Sequence, residues 1–251
     1  MMLIGFSTGA LAFADFRRGL GMLQEEGVEA VELSALRMPE WFPLLDALGT
    51  LDLSSFRYVS IHLPSRMCVD EERAVAESLR HVPRNCPLIL HPDAVSDFGL
   101  WRELQDRLCI ENMDSRKPIG RTEGELDGIF DQLPNARLCF DIGHAWHVDP
   151  TMNVAYGILK CYRDRIVQVH VSEVNSRSRH DVLSYSTMQA FRDVAHMVPR
   201  VPLILETPVS QHDMCQEMNK ARFAFLPLTS SVWPSKLVAT TSTLDCPNFS
   251  A

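Results

Sequence analysis

Residues 138–150 read LCFDIGHAWHVDP, a short apolar run followed by an Asp and two His, Asp141, His144 and His147, spaced three apart. If LCFD is a buried strand, Asp141 is delivered at its end. If it is a loop, these are three ordinary polar residues. The rest of the chain decides, because runs of the same kind recur: LIGFS at 3–7, AVELS at 30–34, YVSIHL at 58–63, LILH at 88–91, LCIEN at 108–112, IVQVHV at 166–171 and PLILE at 202–206. With LCFD they make eight.

Between these runs lie segments with helical periodicity. In FADFRRGLGMLQEEG, 13–27, Phe13, Phe16, Leu20 and Leu23 recur at spacings of three and four, and Gly27 supplies a helix stop. Thr122 with Glu125, and Ser186 with Gln189, stand in capping-box spacing before apolar faces. Strand and helix alternate, and the strands read as apolar on both faces, as parallel strands covered by helices must be. The expectation is a single α/β domain, a (β/α)8 TIM barrel over 1–225. An open doubly wound sheet is disfavoured, because STGAL after the first run is too short and wrongly spaced for a phosphate loop. Residues 226–251, rich in Ser, Thr and Pro, read as an irregular tail. Its Trp233 and Leu237 could dock on the barrel or on a second copy in a homodimer.

A chain of 251 residues with 46% apolar and 22% charged residues can bury a large core. The net charge of −8, from 24 Lys plus Arg against 32 Asp plus Glu, argues against a general polyanion surface and against duplex nucleic acid. Seven scattered cysteines, mostly in apolar runs, read as reduced core thiols of a cytoplasmic protein. Neither a secretion signal nor a membrane span is apparent.

The polar residues at the strand ends carry the function. Strand three ends in His62, four in His91, five in Glu111 and Asn112, six in Asp141, seven in His170 and eight in Glu206. In a parallel barrel these ends converge on one mouth, and three carboxylates converging there must be protonated or neutralised by cations. A divalent metal meets that need, and mixed imidazole and carboxylate ligands point to zinc or manganese rather than calcium or magnesium. His81, His196 and His212 are expected to face solvent, and His147 is left open.

The pieces LILHPD, CIENMD, CFDIGHAWH, QVHVSE and LILET, in this order, resemble the xylose isomerase-like barrel superfamily over roughly 1–225. That superfamily includes sugar and sugar-phosphate isomerases and epimerases and the endonuclease IV-like abasic-site endonucleases. The endonuclease-like pattern implies one metal on His62 and His91, Glu111 as a bridge, a second metal on Asp141, His170 and Glu206, and a third on His144 and His180. Ser178 departs from it, standing where that pattern has an Asp ligand. The epimerase-like pattern implies one metal on Glu111, Asp141, His170 and Glu206, with Glu111 and Glu206 as the catalytic acid/base pair and His144 at the substrate. One to three ions are thus implied.

The expected activity is isomerisation or epimerisation of a small sugar or sugar phosphate, with Asn112, His144, Arg116, Lys117 and Arg121 as substrate contacts. Phosphoester hydrolysis is the alternative, supported by His62 and His91, which a single-metal isomerase does not require. A non-catalytic metal-stabilised binding protein is the third class, and the intact Glu111 and Glu206 argue against it.

Overall fold

The structure is a computed structural model that describes residues 2–225. The expected irregular tail, 226–251, with Trp233, Leu237 and Cys246, lies outside the described residues. Each of the eight apolar runs forms a strand: β1 (Ile4–Ser7), β2 (Ala30–Ser34), β3 (Tyr58–His62), β4 (Leu88–Leu90), β5 (Leu108–Glu111), β6 (Arg137–Asp141), β7 (Ile166–Val171) and, after the two short strands β8 (Glu173–Val174) and β9 (His180–Asp181), β10 (Leu203–Leu205). The eight longer strands close a barrel in the order β1-β10-β7-β6-β5-β4-β3-β2, and every pairing in it is parallel. The pair β8 and β9 forms a small antiparallel hairpin after β7.

Among the described residues, ten α-helices flank or follow the strands: α1 (Thr8–Ala12), α2 (Phe16–Glu25), α3 (Met38–Ala47), α4 (Val69–Ser78), α5 (Phe98–Arg102), α6 (Glu123–Gln132), α7 (Ile142–Val148), α8 (Asn153–Tyr162), α9 (Tyr185–Val194) and α10 (Met214–Phe225). Three cap details differ from expectation. Asp15 caps α2 by accepting from the Arg18 N–H at 3.0 Å, so Phe13 lies before the helix and is exposed. Ser184, not Ser186, caps α9, accepting from the Thr187 N–H at 3.2 Å. Thr122 caps α6, but the Glu125 carboxylate receives the N–H of Arg121 rather than that of Thr122, so only half of the box forms. Gly27, at φ +64°, ends α2 in the left-handed region that suits glycine.

The main core lies between the outer face of the barrel and the helices, and includes Phe6, Leu33, Trp41, Trp101, Phe140 and Phe191, all fully buried. The inner face is different. The expectation of strands apolar on both sides fails there, because the lumen holds polar residues at alternate positions: Glu32 and Ser34 on β2, Tyr58, Ser60 and His62 on β3, Gln168 and His170 on β7. A separate apolar cluster of Ile89, Cys109 and Cys139 belongs to the same layer of strand residues. Cys86, Cys109 and Cys139 are buried thiols as expected, whereas Cys68, Cys161 and Cys215 are exposed. Among the described residues, no helix is long and apolar enough to cross a membrane.

Candidate metal centre

Strand direction places the six expected ligands together. In a parallel barrel every strand delivers its last residue to the same mouth, and adjacent strands are in register there: Asp141 on β6 lies beside His170 on β7, which lies beside Ile204 on β10, two residues before Glu206. Glu111, Asp141, His170 and Glu206 offer one ligand atom each, all within 4.8 Å of one another. His62, His91 and Glu111 form a second such group, and Glu32, His62 and Glu206 a third.

Glu111 joins the first two groups. Its Oε2 lies 3.1 Å from His62 Nε2 and 3.3 Å from His91 Nε2, while its Oε1 lies 3.3 Å from both His144 Nδ1 and His170 Nδ1. One carboxylate thus faces two histidine sets with its two oxygens. Glu206 Oε2 stands 3.6 Å from His170 Nδ1 and the same distance from His180 Nε2.

Local structure aims the candidate ligands. Asp141 is the last residue of β6 and the N-cap of α7: its Oδ1 accepts the His144 N–H at 2.7 Å, leaving Oδ2 for the site. Gly143 in the DIGH turn has a packing reason, since a Cβ there would lie 2.4 Å from the Ser172 carbonyl oxygen. His62 donates from Nδ1 to the Leu63 carbonyl at 2.7 Å, which leaves Nε2 as the nitrogen that faces Glu111, 3.1 Å from its Oε2. A ligating histidine held by its other nitrogen is the usual arrangement at a metal.

Electrostatics reflect the crowding of charge in the cluster. Burial raises Asp141 to about 6, with Glu111 and Glu206 adding to the effect against the opposing pull of His144. Burial opposes a proton on His144, but Asp141 and Glu111 outweigh it and lift that ring to about 10. Burial pushes His91 down to about 4. Glu206 is likewise raised by burial, while the histidines around Glu111 hold it well below the usual carboxylate range. Among the described residues, Glu32 Oε1, His91 Nδ1, Asp141 Oδ2 and His170 Nδ1 are buried polar atoms without a hydrogen-bond partner. Each such atom costs roughly 1–3 kcal/mol if nothing satisfies it. The donor set, the unpartnered atoms and the crowding of carboxylates fit a divalent cation.

The other expected residues fall into place less directly. Asn112 is fully buried and exchanges two hydrogen bonds with the backbone of Asp141, so its amide is committed to the barrel rather than free for a substrate. His144 donates from Nδ1 to the Asn112 carbonyl at 2.9 Å, and its ring centroid is 5.6 Å from that of His180. His180, on β9, hydrogen-bonds Ser172 Oγ through Nδ1 at 2.7 Å. Ser178 faces His147 instead, with Oγ 3.5 Å from Nε2, while His147 Nδ1 lies 3.1 Å from Ser115 Oγ. His147 therefore ties two loops together outside the ligand groups.

Arg116 donates to the carbonyls of Arg177 and Ser178 at 3.1 and 2.8 Å. Lys117 pairs with Asp93 at 2.7 Å, and Arg121 pairs with Glu125. The three expected phosphate or substrate cations are all engaged within the chain. His81, His196 and His212 are exposed, as expected.

Glu32 was missed. It is fully buried on β2, with Oε2 2.9 Å from His170 Nε2 and 2.7 Å from Gln168 Nε2. The available signal was a charge inside the apolar run AVELS, at a position that alternation turns inward.

Residues 100–224 match the family described as xylose isomerase-like TIM barrel. No curated protein matches the chain. Among solved structures, a xylose isomerase domain protein from Alicyclobacillus acidocaldarius is similar at 11% identity and a TM-score of 0.62, with 89% of this chain and 98% of that chain covered. An AP endonuclease, family 2, from Brucella melitensis is 15% identical, with a TM-score of 0.51 and the same coverage. A 3-keto-D-glucoside 4-epimerase from E. coli is 12% identical, with a TM-score of 0.50, 89% of this chain and 99% of that chain covered. At these identities the structural likeness concerns the fold alone. The family match thus falls on the second half of a closed parallel barrel, and over residues 100–224 the chain is similar to the xylose isomerase-like TIM barrels.

Proposed function

We propose that the protein is a divalent-metal-dependent isomerase or epimerase of a small sugar, with zinc or manganese as its cofactor. The observation that carries this reading is the group Glu111, Asp141, His170 and Glu206, four ligand-type side chains delivered by four strands to one buried point. A cation held by these four residues would supply polarisation of a substrate carbonyl, which acidifies the neighbouring C–H. Glu111 Oε1 and Glu206 Oε2 flank His170 Nδ1 at 3.3 and 3.6 Å, so two carboxylates face one small volume. One takes the proton from the carbon beside the carbonyl, and the other returns a proton to the opposite face or to the neighbouring carbon.

The internal pairing of Arg116, Lys117 and Arg121 favours an unphosphorylated sugar over a sugar phosphate. The resemblance of the fold to the 3-keto-D-glucoside 4-epimerase is compatible with this but does not carry it.

Phosphoester hydrolysis is the second reading, and the group His62, His91 and Glu111 favours it by offering a place for a second ion. The test is to strip the protein, reload it with zinc or manganese, count the ions, and incubate it in D2O with a panel of keto sugars and with an abasic-site duplex. Metal-dependent deuterium incorporation beside the carbonyl is expected. Cleavage of the duplex without exchange into any sugar overturns the isomerase reading.

A further inference from the structure

A chain of hydrogen bonds runs inside the barrel below the ligands. The Tyr58 hydroxyl donates to Gln168 Oε1 at 2.6 Å, Gln168 Nε2 donates to Glu32 Oε2 at 2.7 Å, and the same oxygen lies 2.9 Å from His170 Nε2. Glu32, Gln168 and His170 are fully buried. In register, Glu32 pairs with Ser60, one inward step below the pair Ser34 and His62, so it sits beneath the ligand level.

The proton positions follow from what each group can do. Glu32, which only accepts, fixes the Gln168 amide with its NH2 toward the carboxylate and its oxygen toward the Tyr58 hydroxyl. A carboxylate only accepts, so the 2.9 Å contact between Glu32 Oε2 and His170 Nε2 is a hydrogen bond when the proton is on Nε2; Gln168 Nε2, itself 2.9 Å from that ring nitrogen, then gives its two hydrogens to Glu32 Oε2 and to Cys139 Sγ at 3.4 Å. Nδ1 is then the nitrogen left for a ligand, and it is the atom that faces Glu111 and Glu206 and has no hydrogen-bond partner.

We propose that Glu32 is a positioning residue: it holds His170 with Nε2 protonated and Nδ1 presented to the metal seat shared with Glu111, Asp141 and Glu206. This rests on the metal-dependent reading above. Glu32 acts through His170 and does not itself touch substrate. Its role also accounts for the cost of keeping a carboxylate in the lumen, since a carboxylate behind a ligating imidazole orients the ring and strengthens it as a donor.

The experiment compares zinc binding to wild type and Glu32→Gln by calorimetry, with cobalt(II) absorption spectra of both. Glu32→Gln is expected to bind the same number of ions about 10–100-fold more weakly and to shift the cobalt spectrum. Unchanged affinity and spectrum overturn the proposal while leaving the metal reading intact. Loss of one ion per chain overturns it too, because Glu32 is then a ligand in the group with His62 and Glu206. Absence of metal binding by wild type overturns both readings. Should Glu32→Gln fail to fold, nitrogen-15 histidine spectra of zinc-loaded wild type decide: a proton on His170 Nε2 is expected, and one on Nδ1 overturns the proposal.

Discussion

Asn112 and Asp141 are stapled to each other across the ends of β5 and β6. The Asn112 amide donates to the Asp141 carbonyl at 2.8 Å, and the Asp141 N–H donates to Asn112 Oδ1 at the same distance. The side chain extends the ladder by one rung beyond the end of β5. Asn112→Ala leaves two buried backbone groups of Asp141 unpaired, which costs roughly 2–4 kcal/mol. A fall of roughly 5–15 °C in Tm is expected, together with weaker metal binding because the Asp141 carboxylate loses its fixed base. A thermal melt and a zinc titration check both, and an unchanged Tm would show that water replaces the staple at no cost.

Glu111→Gln and Glu206→Gln each remove one of the facing carboxylates while keeping its shape. Loss of an acid or base of this kind costs roughly 100- to 10,000-fold in rate. The expected outcome is a collapse of kcat in either variant under metal saturation. Full activity in either variant, or in a metal-stripped wild type, contradicts the assigned roles.

Protons and metal compete for the same atoms. Asp141 holds its proton up to about 6, so metal affinity is expected to fall as pH is lowered through that value, by about tenfold per pH unit for each proton displaced. The metal-free protein behaves differently. His144 is raised from 6.5 to about 10 by Asp141 and Glu111 against the effect of its burial, so its stabilising contribution is complete below 6.5 and is lost as pH rises through about 10. Metal-free protein should therefore melt at lower temperature as pH rises from neutral toward 10. Metal titrations across pH and melts of the stripped protein measure the two effects, and a stripped protein that gains stability over that range contradicts the second.

Arg116 fastens the turn that precedes β9 through the carbonyls of Arg177 and Ser178, and Ser178 sits there at φ +50°. Arg116→Ala is expected to cost about 1 kcal/mol overall but to speed amide hydrogen exchange across 175–180. Because β9 carries His180, KM should rise more than kcat falls. Exchange rates equal to wild type over this turn would dismiss Arg116 as its fastener.

The barrel was legible from eight apolar runs because burial on the helix-facing side leaves an unbroken hydrophobic signal. The residues of the candidate site were legible because each breaks such a run at its end, as His62 and Asp141 do. Glu32 escaped for the converse reason: it lies in the middle of AVELS, and a single strand does not say what stands across a lumen from it. The partner that explains it, His170, is 138 residues away. Asn112 and the cations of the MDSRKPIGR loop show a related difficulty. Their residue types suit a substrate, but only the fold reveals that Asp141, Asp93, Glu125 and two carbonyls have already engaged them.

The lumen carries charge where most protein interiors carry methyl groups, and a ligand that satisfied this charge would couple its own supply to the survival of the chain. Whatever satisfies Asp141 Oδ2 and His170 Nδ1 binds a site assembled from distant strands, and so recognises the folded chain alone. At a thousandfold excess over its Kd such a ligand adds about 4 kcal/mol to stability. A cell starved of it would lose this protein to proteolysis, and the shortage would register as a shrinking pool of molecules as well as idle ones.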